Sequence, residues 1–379
     1  MLAYLDHHAT TPCEPAVVAA MAPWWNERWA NPSSRLYRPA LEAAAAVDQA
    51  RSRVAALVGA GAETRLLFTS GATEANNLAL KGLAELALSG GTPRRRLVSV
   101  VTEHRAVLDP LRYLERHGFP LTLLPVGPDG RLELAALEAA LDADVLVVSV
   151  MAANNEIGVL QPLAAIAGLC RRHGVLLHCD AAQAAGHIPL AMEAMGIDLL
   201  SLSAHKVYGP VGSGALLLRE GVALAPQQLG GGQEDGLRAG TLAAPLIVGL
   251  AAALELACGD REERTLRLGA LRDRLWDALE ALGEVRLNGA RSSRLPHNLN
   301  VSIGGVDGTA LHQRLRRRIA VSSGSACSQG SPSHVLRALG RSRQEAAASI
   351  RFGLGRHTGD AEISVAIEAV REAVQALRG

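Results

Sequence analysis

Between residues 65 and 219, short apolar runs return at intervals: RLLFTS, RLVSVVT, LTLLPV, DVLVVSV, VLLHCD, DLLSLSA and GALLLR. Their length and their β-branched and leucine content mark them as strands. Several are apolar throughout, as strands covered on both faces are. Helix-like stretches such as EANNLALKGLAELAL and LAAIAGLCRRHG separate them, the second closed by a glycine suited to a C-cap. Strand–helix alternation of this kind predicts an α/β fold with a largely parallel sheet. After about residue 258 the texture changes. DREERTLRLGALRDRLWDALEALG leads into the short strands VRLNG, LNVSIGG, IAVSSGS and SIRFGLG, with helices between them. That is an α+β pattern, and a chain of 379 residues is long for one core, so a second, smaller domain is predicted.

Composition excludes several function classes. With 38 basic against 37 acidic residues, no global field favours nucleic acid or anionic lipid. The arginine runs at 94–96 and 314–318 read as solvated faces within that balance. Five cysteines, at 13, 170, 179, 258 and 327, are scattered, odd in number and without metal-ligand spacing. Free thiols in a reducing compartment, and no metal site, are the expectation. No charged-then-apolar leader opens the chain, because Asp6, His7 and His8 arrive almost at once. The run LAAPLIVGLAAALELAC is shorter than the roughly 20 residues a span requires and contains Pro245 and Glu255, so it reads as a buried helix. A cytoplasmic protein with no membrane or nucleic-acid partner is expected.

In open α/β sheets ligands gather at the carboxyl ends of strands, and three such ends stand out. In TSGATEANN a strand breaks at Gly71 and a helix begins, an arrangement that suits a phosphate and equally a plain turn. In LLHCDAAQ, Asp180 follows an apolar strand with Gln183 three residues on, as a helix cap or as a functional acid. In SLSAHKVYGPVGSG, Lys206 stands beside Ser203 and His205. Alone it would read as a solvated lysine; desolvated, it is an amine nucleophile. Together they supply a phosphate cradle, an acid for a pyridinium and an amine for an aldehyde, which is the equipment of a pyridoxal phosphate site. The stretch SSGSACSQGSPSH adds one cysteine, Cys327, among small and polar residues.

The ordered motifs LDHHATTP, NPSS, FTSGATEANN, TEHRAVL, NNEIGVLQP, DAAQAAG, SAHKVYGP, GGGQEDGLRAGT, VSSGSACS, HVLRALG and SIRFGLGR resemble those of the class V, fold-type I pyridoxal phosphate enzymes. Within that class the chain resembles the cysteine desulfurases, related to the bacterial sulfur-mobilising enzymes of iron–sulfur assembly. The resemblance runs nearly end to end. It implies a large cofactor-binding domain over residues 15–258. A small domain over 1–14 and 259–379 would carry the catalytic-cysteine loop.

The resemblance also implies roles. Lys206 matches the lysine that bonds the cofactor aldehyde, His104 the histidine stacked on its ring, Asp180 the partner of the pyridine nitrogen and Gln183 the ligand of the ring oxygen. Ala72, Thr73, Ser203 and His205 match the phosphate cradle. Thr241 matches a phosphate contact from the other subunit, which implies a homodimer with shared active sites. Asn155 matches a residue beside the ring, and Asn31 and Arg351 the pair that holds the substrate carboxylate. Cys327 matches the cysteine that takes sulfur from L-cysteine as a persulfide and passes it to an acceptor, such as an iron–sulfur scaffold protein. A free cysteine is only a few per cent thiolate at pH 7, so a nearby proton acceptor is expected, His104 or the substrate amine.

Two departures bear on transfer to a scaffold. The loop after Cys327 is shorter by about two residues than in the best-known housekeeping members, and the chain stops at Gly379 without their extended C-terminal tail. Rival readings are a cysteine or cystine C–S lyase, a selenocysteine lyase, and a carrier or scaffold subunit with a vestigial site. Cys327 in an intact SSGSAC setting speaks against the first, and retention of every cofactor position against the last.

Overall fold

The structure, a computed structural model, describes residues 2–323 and 333–379. The N-terminal strand β1 (Ala3–Tyr4) is followed by seven strands that form one sheet. These are β2 (Arg65–Thr69), β3 (Arg96–Val100), β4 (Leu121–Leu124), β5 (Val145–Ser149), β6 (Leu176–Asp180), β7 (Leu199–Ser203) and β8 (Gly214–Leu218). They match the seven apolar runs of the sequence. Their order is β2-β8-β7-β6-β5-β3-β4, and only β8 runs against the rest. The sheet is therefore largely parallel, as predicted.

Both faces are buried, which is why the strands read as continuous apolar runs rather than alternating ones. In β2, Leu66 and Phe68 face one layer and Leu67 the other. The first layer contains helices Arg38–Leu57, Leu163–Arg172 and Ala244–Gly259, so the membrane-like run is a core helix. The second contains Ala72–Leu86 and Arg105–Glu115. Lys81, one of only two lysines in the chain, lies on this outer layer with its Nζ 5.5 Å from the centre of the Tyr113 ring. Among the described residues no helix is long and apolar enough to cross a membrane.

The rest of the chain adds β9 (Val285–Leu287), β10 (Asn298–Ile303), β11 (Ile319–Ala320) and β12 (Ser349–Gly353). Strands β12-β10-β9 form an antiparallel sheet, and β11 pairs in parallel with β1. Helices Arg261–Glu280 and Asp360–Arg378 close over these strands around a second core, with Leu275, Val301, Phe352 and Val370 inside. Ala3 and Leu5 belong to this second core too. We propose that the two cores mark two domains, residues 15–258 and residues 1–14 with 259–379.

A row of polar side chains crosses the large sheet. His178 Nδ1 lies 2.8 Å from Ser149 Oγ and its Nε2 lies 3.0 Å from Ser201 Oγ. Burial pushes His178 down to about 4, and burial with the nearby Arg264 charge pushes His187 down to about 4. In the unfolded chain both titrate near 6.5, so the unfolded state binds the extra protons as pH falls. Their contribution is intact above pH 6.5 and is lost between 6.5 and about 4, on the order of 3 kcal/mol each. Urea unfolding followed across this range should show stability falling by two or more protons' worth per pH unit, because His7 and His205 are also pushed down to about 4. A midpoint that stays flat from pH 7 to 5 would refute the assignment.

Candidate active site

Strands β2, β3, β5, β6 and β7 run in one direction, so their carboxyl ends line one edge of the sheet. A cavity of about 320 Å³ opens there. It is lined by Ala72, Thr73, His104, Asn155, Asp180, Gln183, Ser203, His205, Lys206 and Arg351, ten of the residues singled out in the sequence. Two stand elsewhere. Asn31 is exposed, its side chain accepting the Ser33 N–H at 2.9 Å. Thr241 is exposed and does not line the cavity. Cys327 lies outside the described residues.

At one end of the cavity, β2 gives way to helix Ala72–Leu86 through Gly71, whose φ of 148° is strained for any side chain. A Cβ at Gly71 would reach only Ser203 Oγ, at 4.0 Å, so the space before the helix start is open. Gly214 on β8 lets this turn lie close, since a Cβ there would stand 2.5 Å from Gly71 Cα. Glu74 takes the Ser70 N–H at 2.6 Å and a two-pronged contact from Arg238 at 2.7 and 3.2 Å. An open helix N-terminus ringed by Ser203 and His205 is a phosphate-shaped cradle. The helix dipole supplies at most about 2 kcal/mol, so the side-chain donors matter.

In the middle, Asp180 lines the cavity, and the chain after β6 runs into turns rather than a helix that it could cap. Its Oδ1 accepts the Ala182 N–H at 2.9 Å, while Oδ2 accepts Asn76 Nδ2 at 2.7 Å. Burial and the Asp180 charge push the wholly buried Glu103 well above the carboxylate range. His104 caps helix Arg105–Glu115: its Nδ1 accepts the Ala106 N–H at 3.0 Å. The neutral ring therefore carries its proton on Nε2, and burial lowers its pKa. As held, neutral His104 offers a proton to the cavity.

Lys206 ends a tight turn after β7, and its Nζ donates to the main-chain carbonyls of His8 at 2.6 Å and Ala9 at 2.8 Å. The LDHHATTP motif is thus a strap laid over the lysine. Thr11 fixes it, donating through Oγ1 to the His205 carbonyl at 3.0 Å and accepting the Tyr208 N–H at 2.8 Å. That second bond holds Tyr208 in a left-handed conformation, φ 66°, rare for an aromatic residue. Beside Lys206, burial and the lysine charge push His205 down to about 4.

At the far end Arg351 is buried, 1% exposed. Its Nη2 donates to Asp6 Oδ1 at 2.7 Å and its Nη1 to the Asn155 carbonyl at 3.0 Å, while the buried Nε has no hydrogen-bond partner among the described residues. A guanidinium has five N–H groups, so capacity remains for a carboxylate. The Arg351 main chain pairs with Ser322, and Ser333 donates to Glu156, so both ends of the segment that contains Cys327 are tied at this site. All four described thiols have raised pKa values, Cys170 pushed up to about 12 by burial, so none is a thiolate at neutral pH.

Sequence reasoning missed His8, Asn76, Glu103 and Asp6, which hold Gln183, Asp180, His104 and Arg351. All four lie inside the motifs LDHHATTP, FTSGATEANN and TEHRAVL, and that membership is the one signal that could have pointed to them. The donor set fits pyridoxal phosphate: an open cradle for the phosphate, an acid for the ring, an amine for the aldehyde, and an arginine with an unpartnered Nε for a substrate carboxylate.

Comparison with known proteins agrees. The aminotransferase class-V model matches residues 3–365. The cysteine desulfurase IscS of Methylococcus capsulatus is 47% identical over 99% of this chain and 93% of its own. That of Rickettsia akari is 46% identical over 99% and 92%. A solved structure described as a NifS-like protein superposes with a TM-score of 0.92 at 34% identity, covering all of both chains. The chain belongs to the aminotransferase class-V family, among its cysteine desulfurases.

Proposed function

We propose that the protein is a pyridoxal phosphate-dependent cysteine desulfurase that takes sulfur from L-cysteine, releases L-alanine and carries the sulfur on Cys327. The observation that carries this reading is the meeting of Lys206, Asp180, Gln183, His104 and Arg351 in one cavity with the open helix start at Gly71. Bound there, pyridoxal phosphate supplies an aldehyde and an electron-withdrawing ring. Ala72, Thr73, Ser203 and His205 would hold its phosphate, and His104 would cover its ring. Asp180 would favour the protonated ring nitrogen, raising its pKa by roughly 1–3 units. Gln183 would face the ring oxygen, Lys206 would supply the amine for the aldehyde, and Asn155 would stand beside the ring.

Arg351 takes the substrate carboxylate, and Asn31 joins it only if its segment moves from where it now lies. The Cys327 thiolate attacks the substrate sulfur. A sulfur–sulfur bond forms, the carbon–sulfur bond breaks, and its electron pair stays with the carbon fragment, which takes a proton and leaves as alanine. His104 Nε2–H is placed to give a proton, so taking the thiol proton falls to the substrate amine.

The working unit is a homodimer in the cytoplasm. Thr241 belongs to a segment tied to the phosphate helix by Arg238 and Glu74, yet it faces outward from its own cavity, as a residue serving a partner's phosphate would. The persulfide passes to an acceptor protein, towards iron–sulfur cluster assembly.

Three outcomes check this reading. Borohydride should fix the cofactor to Lys206, and Lys206→Ala should bind it only reversibly; peptide mapping of the adduct to Lys81 would sink the assignment. Cys327→Ala should keep the cofactor spectrum and lose alanine production by about a hundredfold or more. Brief exposure to cysteine should add one sulfur to the wild-type peptide containing Cys327. Sulfide release by the variant at the wild-type rate, with pyruvate as co-product, would identify a lyase instead. Finally, sedimentation should find a dimer, and a fully active monomer would exclude the shared site.

A further inference from the structure

His8 is buried between the two cores, 1% exposed, with both ring nitrogens engaged. Its Nε2 lies 3.1 Å from Asn298 Nδ2 and its Nδ1 2.9 Å from Gln183 Oε1. An amide nitrogen only donates, so Nε2 accepts and the proton sits on Nδ1, donated to Gln183. Gln183 Nε2 in turn donates to the His8 carbonyl at 3.0 Å. The amide of Gln183 is therefore held at both ends, with one N–H left for a ligand. The same His8 carbonyl also accepts the Lys206 amine.

The ring is packed as closely as it is bonded. His297 stacks on it with centroids 4.6 Å apart and planes at 23°, and His187 stacks on His297 at 4.1 Å and 28°. His187 Nε2 donates to the Lys206 carbonyl at 3.1 Å, so the column of imidazoles meets the lysine at its main chain, while the His8 main chain meets its amine. A Cβ on Gly353 would stand 2.8 Å from His8 Cδ2, so β12 closes the remaining side. The charged and titratable groups facing His8 are Arg351 on β12, Lys206 after β7, and His187 and His297 in the column. A second proton on His8 would remove the Asn298 acceptor and stand among cations. Burial and Arg351 accordingly hold its pKa well below the usual range.

We propose that His8 is a positioning residue for this active site. Its neutral imidazole fixes the amide face that Gln183 turns to the cofactor ring. Through the main chain at residues 8 and 9 it also fixes where the Lys206 amine rests. This rests on the pyridoxal phosphate reading above, and it assigns a role to a side chain whose two ring nitrogens are both engaged by protein groups.

The test uses the full chain reconstituted with pyridoxal phosphate. Three quantities are measured: cofactor affinity by absorbance titration, the pH midpoint of the bound cofactor's visible band, and the melting temperature of the cofactor-free protein. His8→Phe keeps an aromatic ring on His297 and loses both hydrogen bonds. His8→Asn loses the stack, but its Nδ2 takes nearly the place of imidazole Nδ1 and keeps the bond to Gln183. His8→Phe should weaken cofactor affinity by about tenfold, the loss of one buried hydrogen bond, and shift the pH midpoint. His8→Asn should stay within about threefold of wild type. If His8→Phe does not fold, His8→Ser, too short to reach Gln183, should behave as expected for His8→Phe. A lowered melting temperature with affinity and midpoint unchanged would show packing alone and overturn the proposal. So would His8→Asn disturbing the cofactor more than His8→Phe. Wild-type protein that binds no pyridoxal phosphate would overturn the functional reading itself, and this inference with it.

Discussion

Burying both faces of a parallel sheet leaves its polar chemistry only one place to go. Hydrogen-bonded strands satisfy their own main chain, and apolar side chains fill both layers, so any unpaired polar group inside would cost several kcal/mol. The strand ends escape this cost. Five strands that finish at one edge bring residues far apart in sequence to one cavity, Ala72 from the first and Lys206 from the last. Where polar groups do enter the sheet, as at Ser149, His178 and Ser201, they arrive as a bonded row rather than singly.

That edge is closed by chain from the second core. Asp6 holds Arg351, residues 8 and 9 hold Lys206, and Thr11 holds the turn that follows. The cavity-lining arginine and the lysine thus share one short strap, and neither is placed by its own strand alone. A disturbance of residues 6–11 reaches both ends of the cavity at once.

This explains what was legible in the sequence. The seven sheet strands were readable because each is short, apolar and bounded, and so was the buried helix Ala244–Gly259. The reversed β8 between β2 and β7 was not, because hydrophobic pattern says nothing of strand order. Helix Arg38–Leu57 is marked weakly, since its buried face is mostly alanine. For the site, Lys206 and Asp180 stand at strand ends where chemistry is expected. His8 does not: its partners Gln183 and Asn298 lie 175 and 290 residues away, and its place within LDHHATTP carries no signal of them. The same limit applied to His104, where only the geometry of Nδ1 and the Ala106 amide decides which nitrogen carries the proton.

The chain reaches its basic total almost wholly through arginine, with lysine at 81 and 206 alone. Guanidinium groups stay protonated and do not condense with aldehydes as amines do. Lys81 sits over the Tyr113 ring, on the same face of helix Ala72–Leu86 as Thr73 and Asn77. An excess of a reactive aldehyde therefore meets very few competing side-chain amines on this surface. For the chemist this makes the protein nearly self-reporting: the ratio of reducible adduct to chain counts filled sites, without the surface background that lysine-rich proteins carry.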